Sequence, residues 1–541
     1  MGERRLVAAL ICLALLPSAW LAWTWRAMPQ LGLYHDDAIY LVTAKSLAEG
    51  NGYRIASLPG GPYQTKYPPL YPALLAAVWR LDPSFPANLP NVMLLAWAGL
   101  VAFVFLTWRL LRAAGFSEWE SGGLAAFAAL SPAAVLFGLL AMSELWFGAL
   151  LVASIMAAGR GQAGRAGLLG ALAFLTRSAA LPLLFTTPLT YLWRRDFRRA
   201  AVFFATMAPA VAGWQWWSLA HRAPSSQATL FYTDYFGFYL RDVTLAGLPE
   251  LIFFNVNLAV KAIGELFIFD TDNGFGALTV SRVLTTALVS GCVRLARAGR
   301  LVHYGAFALG YTAQFLVWNY PPTQRFFLPL LPLLAAGGWR ELQTLGATVA
   351  GGFRKRGAER VVALAMCGLV GFLGWQWARW SPDGLFTFFP QLFEQRRELL
   401  VHQREAHRWL DAHAGPGASL LSYHDPVEYL YTGRHGYSLR VPPGVLKRGD
   451  RDEIRRFFGD LPKLMAADGI RHVVLSGGDY HMDCPDLTVK AYRSVFKDTD
   501  LFEPVFERGD TAVYKVKTKW AYDRADDFTP LAPAPLARRG R

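Results

Sequence analysis

The chain has 541 residues, of which 53% are hydrophobic and only 17% charged, against about 25% charged in an average soluble domain. Its 54 Lys and Arg outnumber 40 Asp and Glu, a formal charge of +14. These figures exclude disordered, collagen-like and disulfide-framework chains. The basic residues sit in short clusters between apolar runs, the pattern of a polytopic membrane protein and not of a nucleic-acid binder. Cys12, Cys292 and Cys367 fall in apolar stretches, Cys484 stands alone in the polar C-terminal part, and no zinc spacing exists.

The first element is the apolar run Leu6 to Trp25, preceded by Glu3-Arg4-Arg5. Its core exceeds the ~7–15 residues of a cleavable signal, and Trp20, Trp23 and Trp25 form an interfacial belt. It reads as a retained first span with a cytoplasmic amino terminus. Residues 31–89, rich in Pro, Gly and Tyr, form an outer loop. Further apolar runs begin near Asn91, Gly122, Glu144, Gly164, Ala180, Ala200, Gly276, Leu301, Phe326 and Val361. At ~20 residues per span, fewer in tight hairpins, the chain has about eleven membrane helices. Alternate crossings then put Arg109/Arg112, Arg160/Arg165, Arg194 to Arg199, Arg294 to Arg300 and Arg354 to Arg360 on one side, leaving the carboxyl terminus on the other. Pro249 to Asp270 is apolar enough to span, but Asn255, Asn257, Lys261 and Glu265 recur at near-helical spacing. Counting it as a span breaks the charge rule, so it is predicted to be an amphipathic helix on the outer surface within the region 221–275. The aromatic stretch Phe231 to Phe238, with Tyr232, Tyr235 and Tyr239, offers rings that can stack on sugar faces, although its first reading is an interfacial anchor.

From Ser381 the composition becomes charged and mixed, which predicts a transmembrane domain over 1–380 and a small extracytoplasmic α/β domain over 381–524. Helices are predicted over Arg396 to Ala414, Pro426 to Tyr431 and Arg451 to Met465. Short buried strands are predicted at 419–422 and 472–476, with a hairpin over 505–515 turning at Gly509-Asp510. Asp425 reads as a helix cap before Pro426, and His472 and His481 lack a third ligand at metal spacing. Residues 525–541, rich in Pro, Ala and Arg, are predicted to be disordered. The fold class is thus mainly α, a polytopic bundle with a C-terminal α/β domain.

Several ionisable residues fall on the outer side of this topology. Asp36-Asp37 follows the first span. Paired carboxylates repel, which raises the proton affinity of one and suits it to act as a base. The competing role is a helix start, with Asp36 as cap and Asp37 in the first turn. Lys66 precedes Pro68-Pro69 near the bilayer edge, where its ammonium can meet a lipid phosphate or simply snorkel. Glu144 and Arg177 lie in tight connections between apolar runs, and Arg325 lies between two spans. Charges at such places are functional candidates because burying them is costly, although hairpin tips in the headgroup region also carry them.

The ordered set His35-Asp36-Asp37 with Tyr40 and Ala44, Lys66-Tyr67-Pro68-Pro69-Leu70, Ser143-Glu144, Leu175-Thr176-Arg177 and Arg325-Phe326-Phe327-Leu328-Pro329 resembles the GT-C membrane glycosyltransferases. The likeness is strongest to bacterial relatives of protein O-mannosyltransferases and of the aminoarabinose transferase acting on lipid A, and it covers roughly the first 350 residues. The resemblance implies an inverting sugar transfer from a polyprenyl-phosphate donor to a protein, lipid or glycan acceptor, at the outer face of a bacterial inner membrane. It makes Asp37, slightly preferred, or Asp36 the base, with Glu144 as a further catalytic acid residue. Lys66, Arg177 and Arg325 become the phosphate contacts, with His35, Tyr67 and Tyr320 beside the substrate. Arg177 stands where the family usually has lysine. No cofactor is required, although Asp36 and Asp37 offer a weak divalent-metal site. The competing classes are a lipid or glycan flippase, against which the absence of repeated halves counts, and a polysaccharide ligase.

Overall fold

The computed structural model describes residues 2–224, 229–240, 243–268, 275–353, 357–415, 417–480, 485–497 and 500–517. The predicted tail, Arg354 to Arg356, His481 and Cys484 lie outside them. The chain divides into two compact units, Met1–Ala56 with Gly61–Pro224 and Tyr232–Arg397, and Ser57–Gly60 with Ser225–Phe231 and Glu398–Arg541.

The first unit is helical. Its helices are α1 (Gly2–Thr24), α2 (Asp36–Ala48), α3 (Leu70–Leu81), α4 (Leu89–Ala113), α5 (Glu118–Leu130), α6 (Pro132–Gly138), α7 (Glu144–Gly159), α8 (Ala163–Thr176), α9 (Leu183–Trp193) and α10 (Phe197–Ala220). Helices Leu248–Glu265, Phe275–Arg297, Val302–Leu316, Leu331–Phe353 and Ala358–Asp383 follow. Helices form at all the predicted apolar runs, but their lengths differ. Among the described residues five are long and apolar enough to cross a membrane, or six if α5 and α6, bent by 62° at Ser131, make one broken span. Pro132 explains that bend, because it removes an N–H and crowds the preceding turn. Helices α7 and α8, with 16 and 14 residues, are shorter than a full span.

Segment 245–265 is one of the five by length and composition, in keeping with its apolar sequence. Asn255 is buried and its amide donates to the carbonyls of Phe315 (3.2 Å), Leu316 (3.0 Å) and Trp318 (2.8 Å), so it caps the end of helix Val302–Leu316. Phe253, Phe254 and Val256 point outward instead.

Exposed large apolar side chains, among them Leu6, Leu13, Trp23, Phe185, Leu189 and Val361, run along the bundle's outside. A water-facing surface would not carry so many. Inside the bundle, glycines allow close helix approach: a Cβ on Gly291 would meet Gly337 O at 1.8 Å, and one on Gly167 would meet Thr206 Oγ1 at 1.8 Å.

The second unit is an α/β domain with a five-stranded sheet of order β2-β1-β3-β5-β4. Strands β1 (Leu420–Ser422), β2 (Gly436–Ser438) and β3 (His472–Leu475) are parallel, whereas β4 (Phe502–Arg508) and β5 (Thr511–Val516) form an antiparallel hairpin paired to β3 through β5. Leu421, Val473, Phe458, Tyr480 and Phe502 build its core. The hairpin turns at Gly509, with φ +54°, as its sequence predicts. Strand β2 is too short to alternate and is held by register, Leu421 opposite Tyr437. The composition change at Ser381 is not a structural boundary. One continuous helical stretch runs from Ala358 to His413, through a π-turn at Gly384–Phe388, because backbone hydrogen bonding is indifferent to the polarity of the side chains. Helix Asp425–Thr432 has His424, not Asp425, at its N-cap position.

Candidate active site

The site begins with a tight backbone turn. His35 has φ +63° and ψ −45°, and the Asp36 N–H donates to Tyr34 O at 2.6 Å, which defines a strained γ-turn. This turn starts α2 at Asp36. His35, not Asp36, takes the N-cap position, and no side-chain hydrogen bond caps the helix there. The two acids part instead. Asp37 is fully buried and its Oδ2 accepts from the Gly32 N–H at 2.8 Å. Asp36 keeps 15% exposure, and its two oxygens accept from the Tyr67 hydroxyl and from Arg325 Nη2.

Arg325, at the start of the short helix Gln324–Phe327, links three elements. Beyond Asp36, its Nε donates to Glu144 Oε1 at 2.5 Å, and its guanidinium lies 5.5 Å from the Tyr34 ring centre. Glu144 opens α7 after the break that follows α6. The same Oε1 also accepts from Arg177 Nη1 at 2.8 Å. Arg177, in extended conformation where α8 ends, also donates to Ser143 Oγ at 3.3 Å, and that hydroxyl lies 3.1 Å from Tyr40 Oη. A chain Asp36–Arg325–Glu144–Arg177 therefore joins residues far apart in sequence. Glu144 is 1% exposed, and its Oε2 has no hydrogen-bond partner among the described residues.

Lys66 is held beside this chain. Gln64 is buried, and its Oε1 accepts from the N–H groups of Lys66 (3.0 Å) and Tyr67 (3.3 Å), while its Nε2 donates to Thr43 Oγ1 at 3.2 Å. Trp217 Nε1 donates to Gln64 O at 3.1 Å, tying the loop to α10. Pro68-Pro69 then launches α3 from the next residue, with Pro69 as its N-cap.

The electrostatics separate the two acids. For Asp36, burial by itself favours protonation, but the Arg325 and Lys66 charges and the hydrogen bonds from Tyr67 and Arg325 outweigh it and hold the carboxyl well below the usual range. For Asp37, burial dominates over the Gly32 and Ala38 N–H groups, and with the Asp36 charge it pushes the carboxyl up to about 7.

Asp36, Tyr67, Arg325, Glu144 and Arg177 thus meet in one hydrogen-bonded group, with Lys66 acting on Asp36. Asp37 stands behind it. His35 Nε2 and Tyr232 Oη are 2.8 Å apart, and Tyr320 packs against Tyr239 (5.7 Å) and Phe326 (6.1 Å), outside the ionic chain. The stretch predicted as an aromatic anchor turns inward at Phe231, Tyr232, Phe238 and Tyr239, whereas Phe236 is exposed. Gln64 and Ser143 were not singled out as site residues by sequence; a Gln two residues before the lysine was the available signal. Among the described residues no group of three or more His, Cys, Asp or Glu side chains is arranged to hold a metal.

No model of a known protein family matches the chain, and no curated protein matches it in sequence. The architecture, a polytopic helical bundle followed by a small α/β unit, is a GT-C-like fold. Among solved structures, it is similar to ArnT from Cupriavidus metallidurans bound to undecaprenyl phosphate, with a TM-score of 0.51 and 13% identity over 96% of this chain and 99% of that one. The archaeal oligosaccharyltransferase AglB from Archaeoglobus fulgidus, in complex with an inhibitory peptide and a dolichol-phosphate, aligns at a TM-score of 0.46 and 11% identity, over 95% of this chain and 74% of that one.

Proposed function

We propose that this protein is an inverting membrane glycosyltransferase that takes a sugar from a polyprenyl-phosphate donor and passes it to a hydroxyl or amine of an extracytoplasmic protein, lipid or glycan. The observation that carries the reading is the ionic chain Asp36–Arg325–Glu144–Arg177 with Lys66 beside it. Three cations face two carboxylates, and the excess of one positive charge suits a phosphodiester monoanion. Each guanidinium carries five N–H donors, more than Asp36, Glu144 and Ser143 consume, so both keep donors for phosphate oxygens. ArnT, which shares the fold, binds undecaprenyl phosphate.

In the proposed reaction the acceptor oxygen or nitrogen attacks the anomeric carbon with its lone pair, and Asp36 takes the acceptor proton as that bond forms. The bond from that carbon to the phosphate oxygen breaks on the opposite face, and polyprenyl phosphate leaves with the bonding pair. Lys66, Arg177 and Arg325 stabilise the negative charge as it develops. Asp36 is favoured over Asp37 because a base must reach the acceptor, and only Asp36 retains exposure. These fixed cations do the work a divalent ion would do, so transfer is proposed to proceed in EDTA. The proposed setting is a bacterial inner membrane, with the amino terminus in the cytoplasm and the α/β unit outside.

The test is transfer from radiolabelled polyprenyl-phosphate sugars by the purified protein in proteoliposomes. Label that moves only when an acceptor is added supports the transferase. Movement of the lipid across the bilayer without transfer supports a flippase and overturns the reading.

A further inference from the structure

The ionic chain has a feature that a plain base-plus-anion-site description leaves unexplained: the carboxylate best placed to act as base is already occupied. Both Asp36 oxygens accept hydrogen bonds, from Tyr67 and from Arg325. The charged groups bearing on it are Arg325 and Lys66, with Asp37 next along the chain and the Tyr40 and Tyr67 hydroxyls nearby. A carboxylate so surrounded gives up its proton readily and takes one poorly. Arg325, however, does not belong to Asp36 alone. Its Nε is held by Glu144, a buried acid whose Oε1 also holds Arg177 and which faces Tyr34, Tyr40, Tyr71 and Tyr311.

We infer that the donor phosphate switches the base on: it draws Arg325 Nη2 and the Lys66 charge away from Asp36, while Glu144 retains Arg325 Nε and serves as the pivot. The inference rests on the polyprenyl-phosphate reading and deepens it. Two consequences follow from the geometry. Asp36 gains basicity only once the phosphate has neutralised Arg325 and Lys66, so the acceptor loses its proton only in the donor-bound protein. Glu144 touches neither reacting atom; it is a positioning residue. Without it Arg325 has a single carboxylate left, Asp36, and collapses onto it.

The experiment compares pH profiles of kcat and of kcat/KM for the donor in proteoliposomes. The second reports the free protein and the first the donor-bound one, so the acid limb of kcat should lie about one pH unit or more above that of kcat/KM. Glu144→Gln should lower kcat roughly 10–100-fold and close the gap between the limbs, whereas Glu144→Asp, which keeps the charge, should restore the gap. A purely structural Glu144 would lower the amount of active protein without moving either limb. Coincident limbs in the unaltered protein, or an unchanged gap in Glu144→Gln, overturn the inference while leaving the transferase reading intact. A protein that transfers nothing from any polyprenyl-phosphate sugar overturns both.

Discussion

Asp36 and Asp37 are adjacent in sequence and opposite in circumstance, so replacing each by Asn separates base from scaffold. Asp36→Asn keeps the shape, and its amide oxygen can still accept from Tyr67, but it can no longer take a proton. Removing a general base slows a reaction by about 10²–10⁴-fold. That corresponds to roughly 2.7–5.4 kcal/mol of lost transition-state stabilisation at about 1.36 kcal/mol per factor of ten. Asp37→Asn is a milder change. Asp37 Oδ2 accepts one backbone hydrogen bond from Gly32 at 2.8 Å, which an amide oxygen also accepts, and its carboxyl is already drawn toward the neutral form. Transfer should fall by less than about tenfold, the scale of roughly one kcal/mol for a perturbed neutral hydrogen bond. The assay is initial-rate transfer in proteoliposomes at saturating donor, normalised to folded protein. An Asp36→Asn protein that keeps about a tenth or more of the original rate, or an Asp37→Asn protein that loses as much as Asp36→Asn, would refute the assignment.

Further outcomes can be checked separately. Lys66→Ala should raise the donor KM by about 10–100-fold, the value of one charge-assisted hydrogen bond, with Lys66→Arg in between. Steady-state kinetics over a donor series reads this directly. Asp37 has a folded value of about 7 against an ordinary 3.8, so the folded state binds the extra proton and stability should fall as pH rises through that window. Thermal unfolding in detergent from pH 4 to 8 should show this slope, and Asp37→Asn should flatten it. Gly337→Leu should cost about 1–3 kcal/mol by overpacking, because a Cβ there meets Cys292 Sγ at 2.5 Å and Leu288 O at 2.6 Å; a melt matching the unaltered protein would contradict the close helix contact.

Some of this organisation is legible in the sequence for plain physical reasons. Glu144 and Arg177 interrupt apolar runs, so their cost advertises them before any coordinates exist. Helix starts at Glu144 and the end of α8 at Thr176 follow from the same interruptions. The choice between Asp36 and Asp37 was not legible. Neighbouring helix side chains point about 100° apart, and which one faces Arg325 is set by the turn at His35, a conformation that no residue pattern announces. The role of Asn255 was hidden for a related reason: a polar residue at helical spacing looks like a wet face until its partner, the end of helix Val302–Leu316, is known. Ser381 misled because composition records which solvent a helix meets and not where the helix stops.

The γ-turn at His35 sets stability against aim. A backbone held at positive φ by a side-chain-bearing residue costs about 1–3 kcal/mol, and glycine at that position would relieve it. Glycine would also lose the imidazole whose Nε2 lies 2.8 Å from Tyr232 Oη, a contact between the start of α2 and a residue almost 200 positions away. A fold shaped only for heat resistance would shed such a turn, whereas one that sets Asp36 against Arg325 and Asp37 against Gly32 keeps the tension and leans on the surrounding helices to contain it.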